Sequence, residues 1–151
     1  MNENTASTPV RLFRWVTIPR HDDRPYLDRM RLLDTRLFGI YLHRFLSSDD
    51  VCLHDHPWPF ISIILRGGYS EQTPFGTIKN PDSSNAEVET KWYPPLSVLF
   101  RPATWTHRIV IDSRRPPISL VIRGKRARMW GFYTLRGWVP WRQYAKKDQC
   151  G

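Results

Sequence analysis

The chain has 151 residues, a length that suits one domain around one core, and its 40% hydrophobic and 13% aromatic content excludes a disordered class. Its longest apolar runs, such as "LFGIYL", are far shorter than the roughly 20 residues a membrane-spanning helix needs, and "MNENTASTPVRLFRW" lacks a secretory apolar stretch. These features lead to the expectation of a cytoplasmic protein with no membrane partner, and a net charge of +9 points to an anionic partner, a small molecule or nucleic acid.

In chain order, residues 1–9 are predicted to be a disordered N-terminus, 10–145 a single domain and 146–151 a flexible tail. Residues 27–37, "LDRMRLLDTRL", suit one or two helical turns or a strand equally well. From there the signals are strands: "LFGIYLHRFL" (37–46), then "FISIILRG" (60–67), ending at the turn signal Gly67-Gly68. "YSEQT" (69–73) reads as the return arm of a hairpin, and 74–87 as a loop rich in Gly, Pro, Asn and Ser. "VETKWY" (88–93), "SVLF" (97–100), "HRIVI" (107–111), "ISLVIRG" (118–124) and "RMWGFYTL" (128–135) complete eight to ten short strands. With 13 prolines in the chain, the expected class is all-β, a sandwich or a small barrel.

Side chains alternate along a strand, so His54 and His56 in "LHDHPWPF" point to one side. In "HRIVI", His107 shares a face with Ile109 and Ile111, which marks that face as the inside. Three converging imidazoles would form a facial set of nitrogen ligands with positions left open for substrate. His21 is expected on the surface, and His43 to be a strand histidine satisfied by a hydrogen bond. Cys52 lies in phase with His54 and His56; as a thiolate it would be a further ligand favouring zinc, although a small buried hydrophobe is the preferred reading. A disulfide between Cys52 and Cys150, the only two cysteines, is disfavoured in the cytosol.

The stretches "LHDHPWPFISIILRGGYSE" and "PPLSVLFRPATWTHRIVI" resemble the two motifs of the cupin superfamily. His54, His56 and Gly67 fit the first, Pro102 and His107 the second, with Thr104 where a glycine is usual. The resemblance covers roughly residues 37–124 and implies a single-domain jelly-roll barrel with a metal inside. The glutamate that most cupins carry four or five residues after the second histidine is replaced by Phe60 and Ile61. What remains resembles the three-histidine subgroup typified by cysteine dioxygenase, which holds ferrous iron; Fe(II) is therefore the favoured metal, with Zn(II) the alternative. Glu71 would restore a carboxylate if it points inward, though a surface position is the preferred reading.

Around the metal, Trp58, Trp105 and Tyr133 are candidates to line the substrate site, and Arg66, Arg101 and Arg123 to clamp an acidic group. Asp55 points away from the metal, as a partner for a histidine N–H or as a loop acid. The leading expectation is an Fe(II)-dependent oxygenase-like enzyme, a dioxygenase, for a small anionic substrate, assembled as a homodimer. The alternatives are a non-catalytic module that binds a small ligand such as a nucleotide, and a basic protein associated with nucleic acid in which the histidines are incidental.

Overall fold

The computed structural model describes residues 12–20, 23–75 and 88–144. His21, Cys150 and both terminal segments singled out above lie outside them, as does most of the 74–87 loop. The described residues form eleven strands and no helix. They are β1 (Trp15–Pro19), β2 (Pro25–Asp34), β3 (Gly39–Phe45), β4 (Phe60–Arg66), β5 (Tyr69–Pro74), β6 (Val88–Tyr93), β7 (Val98–Arg101), β8 (Arg108–Val110), β9 (Ile118–Arg123), β10 (Gly131–Thr134) and β11 (Gly137–Pro140).

Two readings change. The ambiguous 27–37 segment is strand: residues through Asp34 belong to β2, paired along its length with β3. β1, "WVTIP", also forms as an edge strand on β2, which its isolated valine and isoleucine did not signal.

One sheet has six strands in the order β1-β2-β3-β9-β4-β7, and a second has the order β6-β5-β8. β10 and β11 make a hairpin. The segment before β4 joins these pieces. His54 pairs with His107 just ahead of β8 and with Phe132 of β10, so it supplies the rung between the three-stranded sheet and the hairpin. Reciprocal backbone bonds between His54 and His107, at 2.9 and 3.0 Å, fix that rung.

Alternation sorts the six-stranded sheet into two faces. Phe60, Ser62 and Ile64 of β4, Ser119, Val121 and Arg123 of β9, and Tyr41, His43 and Phe45 of β3 share the inner one. One end of the interior is apolar, where Leu27, Phe45, Ile64, Tyr69, Leu99 and Ile109 pack together. The other end is polar and carries the histidines. Between β4 and β5 the chain reverses at Gly67 and Gly68, with φ of 83° and 138°. A Cβ on Gly68 would lie 2.9 Å from the carbonyl oxygen of Tyr93, so this turn needs glycine for conformation and for space.

Candidate metal centre

His54, His56 and His107 come together at the polar end of the interior. One nitrogen from each lies within 4.8 Å of the others, and no Asp, Glu or Cys of the described residues joins the set. Local chain geometry explains the convergence. His54 and His107 are a cross-strand pair, so their side chains leave the sheet on one face, and His56, two residues on, follows the same phase. Pro102 and Trp105 close a backbone-bonded turn at 2.9 Å, and the Ala103 carbonyl accepts the His56 N–H at 3.1 Å. Thr104 occupies the usual glycine position in that turn with no positive φ.

His54 and His56 are held neutral. Burial pushes His54 down to about 4, only partly offset by the charge of Asp49. Burial, followed by the nearby rings of His107 and His54, pushes His56 well below the ordinary histidine range. Neutral nitrogens are what a metal ion requires. His54 Nδ1 is buried with no hydrogen-bond partner. His56 Nε2 and His107 Nε2 face each other at 2.8 Å. Two imidazole nitrogens at right angles on one metal, each at ~2.1 Å, lie about 3 Å apart, so this donor set fits a metal ion.

Glu71 is the component that sequence reasoning misjudged. It is buried and inward, not on the surface, and it lies outside the three-histidine set. Its carboxylate accepts the Nδ1–H of His107. It also accepts Arg101 Nε at 3.0 Å and Trp105 Nε1 at 3.1 Å, while Arg101 Nη2 donates to its second oxygen. Burial raises this carboxyl, but the hydrogen bonds from His107 and Arg101 outweigh burial and hold it at about 2. A carboxylate there fixes the His107 tautomer and turns Nε2 toward the other rings.

The remaining candidates are redistributed. Arg101 is paired with Glu71 and lies over the ring of Trp105 at 4.4 Å, and Trp105 Nε1 donates to the same carboxylate. Arg123 is also occupied: it pairs with Asp34, donates to Tyr41 Oη at 2.8 Å and to the Thr35 carbonyl at 2.7 Å, and covers Trp58 at 5.0 Å. Arg66 is exposed, because β4 breaks register between Ile64 and Arg66 and ends there. Tyr133 alternates away from the site, and its neighbour Phe132 takes the inner position, 5.7 Å from the His54 ring. Trp130 stands 6.2 Å from the same ring, and Phe60 packs on His56 at 4.7 Å. Cys52 is disulfide-bonded, so it offers no thiolate to a metal, and the expectation of a free thiol fails.

Asp55, between two ligands, is fully buried but serves no histidine. It accepts Gly131 N at 2.8 Å and Trp138 Nε1 at 3.2 Å, and it pairs with Arg128 at 2.7 Å. It therefore anchors the histidine segment to the β10–β11 hairpin. His43 accepts Arg29 Nε at 3.0 Å, a satisfied strand histidine as expected.

No protein-family model and no curated protein matches the chain. Solved structures do. A protein of unknown function with a cupin-like fold from Ralstonia eutropha aligns over 83% of this chain and 70% of its own, with a TM-score of 0.55 at 11% identity. A Klebsiella pneumoniae protein with a double-stranded β-helix domain aligns over 77% and 96%, with a TM-score of 0.52 at 12% identity. The chain has the cupin fold. Fe(II)-HppE, solved with the alternative substrate (S)-1-HPP, has the same architecture, with a TM-score of 0.55 at 12% identity over 74% of this chain. The alignment spans 55% of the HppE chain. Metal-bearing enzymes and proteins of unknown function thus share the barrel, and the likeness carries the fold rather than the reaction.

Proposed function

We propose that this cupin is a metal-dependent enzyme of the oxygenase type, with Fe(II) held by His54, His56 and His107, acting on a small anionic molecule. The observation that carries the reading is a donor set of three imidazole nitrogens with no carboxylate in the set, walled by Phe60, Phe132 and Trp130. A ferrous ion bound there would supply redox chemistry toward dioxygen, and neutral ligands leave its full charge for an anion. The chain's own residues hold and orient. Glu71 and Arg101 set the His107 ring, Asp55 fixes the segment carrying His54 and His56, and the aromatic rings keep the site dry. Two carboxylates among the described residues approach the histidine set, Glu71 at His107 and Asp49 at 4.0 Å from His54, and both are engaged by other donors, Asp49 by Tyr26 Oη and Ile109 N, which favours chemistry supplied by a metal over side-chain acid–base catalysis. Self-association as a homodimer is supported by Val98 and Phe100, exposed on the outer face of edge strand β7.

Anaerobic loading with Fe(II), followed by oxygen-electrode assays with small thiol and hydroxy acids, tests the reading. Oxygen uptake that needs both iron and an intact His107 supports it. Stoichiometric zinc retained against iron, with no uptake for any acid, overturns the oxygenase in favour of a metal-bearing binding module.

A further inference from the structure

With Arg101 and Arg123 committed to Glu71 and Asp34, the anionic end of a ligand needs another partner. The register of β2, β3, β9 and β4 puts Arg29, His43, Ser119 and Ile64 in one cross-strand row on the inner face, the face from which Phe60 reaches His56. Arg29 donates Nε to His43 Nε2 at 3.0 Å, and its guanidinium lies 5.3 Å from the Tyr41 ring centroid. His43 is kept neutral by burial and by the Arg29 charge, so it does not balance that charge. Among the described residues no carboxylate pairs with Arg29, and its two terminal nitrogens have no protein partner. On the other side of His43, on β9, Ser119 is fully buried, and its Oγ has no hydrogen-bond partner. Beyond the Arg31–Tyr41 rung, at the end of β2, Asp34 is shared by Arg123, Tyr41 and, at 3.9 Å, Arg31. Three guanidiniums therefore face one carboxylate on this wall.

A buried hydroxyl without a partner is unfavourable when left alone, and the half-buried Arg29 fork has no carboxylate to hold it. Both are donors, and both are satisfied by one oxyanion. We propose that Arg29 and Ser119 form the anion subsite of this barrel, holding the carboxylate or phosphate end of a small organic acid whose other end extends toward the three histidines. Ser119 and the Arg123 rung that pairs with Phe60 are four residues apart on β9, about 13 Å. The acid is therefore a chain of several carbons or a ring, not acetate. This subsite deepens the metal-enzyme reading and names its substrate class.

The test is calorimetric titration of the full-length protein, iron-loaded and chelator-stripped, with hexanoate, inorganic phosphate and neutral hexanamide. Hexanoate or phosphate is expected to bind at least about tenfold more tightly than hexanamide, the factor one charged hydrogen bond carries. Whichever anion binds better assigns the carboxylate or the phosphoryl class. Arg29→Gln is expected to abolish the difference, and Ser119→Ala to reduce it by about tenfold, with metal content unchanged in both. Full metal content with equal binding of hexanoate, phosphate and hexanamide, or with wild-type anion affinity in R29Q, overturns the subsite and leaves the metal reading standing. Arg29-dependent anion binding in a protein that takes up no iron upholds the subsite and sinks the metal reading. Should R29Q fail to fold, S119A decides alone, since it removes only an unpartnered hydroxyl: wild-type affinity in S119A overturns the proposal.

Discussion

Glu71 accepts the Nδ1–H of His107 on the side of the ring turned away from His56. That contact fixes which nitrogen of His107 is free for a metal, and Arg101 in turn fixes Glu71. Glu71→Gln keeps the shape but removes the charge that selects the tautomer. Metal affinity is expected to fall about 10–100-fold, read by competition with a chromogenic chelator. Glu71→Ala additionally leaves Arg101 buried and unpaired, and its unfolding free energy is expected to drop by about 3–5 kcal/mol. Equal metal affinity in wild type and E71Q would remove Glu71 from the site.

The metal-free protein is expected to lose stability in acid in two stages. Folded His54 takes its proton only near pH 4, because burial outweighs the attraction of Asp49, whereas the unfolded residue takes it near 6.5. The stabilisation is therefore full above pH 6.5 and lost as pH falls toward 4, by roughly 3 kcal/mol from this residue. His56 adds in the same direction. Glu71, held at about 2, contributes stability that is full above its unfolded value near 4.5 and lost as pH falls toward 2. Urea unfolding of chelator-treated protein at pH 7 and pH 5 reads the first stage, and His54→Gln should flatten it.

Phe60 is one of the two positions, with Ile61, at which the cupin resemblance implies a ligating glutamate, and its ring packs on His56. Phe60→Glu would restore a carboxylate beside the three nitrogens. The variant is expected to gain affinity for Mn(II) relative to wild type, since carboxylate oxygen suits that ion better than imidazole alone. Without metal it should be less stable than wild type, through a buried unpaired charge. Unchanged Mn(II) affinity would place position 60 outside reach of the metal.

Asp55 ties the histidine segment to the hairpin through Gly131, Trp138 and Arg128. Asp55→Ala frees three donors at once and leaves Gly131 N without its acceptor. A loss of about 2–4 kcal/mol in unfolding free energy is expected, with a parallel loss of metal affinity. Retained affinity despite the stability loss would show that the ligand segment holds its geometry without this anchor.

The three histidines were legible because their geometry is local: a period of two within one segment, and apolar residues in phase with His107. The roles of Glu71, Arg101 and Trp105 were not, because they depend on which strand lies beside β5 and on how far across the interior an arginine reaches. No property of "YSEQT" distinguishes a buried glutamate facing a histidine from a surface one. Arg66, Arg101 and Arg123 looked alike in sequence, all on apolar strands; a register break exposes the first, and Glu71 and Asp34 engage the others. Arg29 went unnoticed inside a segment whose pattern fitted helix and strand equally, so its facing residues could not be assigned. Tyr133 and Phe132 were offset by one position, which in a strand reverses the face.

The central claim is that His54, His56 and His107 bind a metal. It is tested most directly by metal content of the tag-free protein, measured by mass spectrometry after anaerobic loading with iron, for wild type and His107→Ala. Near-stoichiometric iron in the wild type and its loss in the variant is the expected result. Wild-type protein that retains no metal, or H107A that retains as much as wild type, would contradict it.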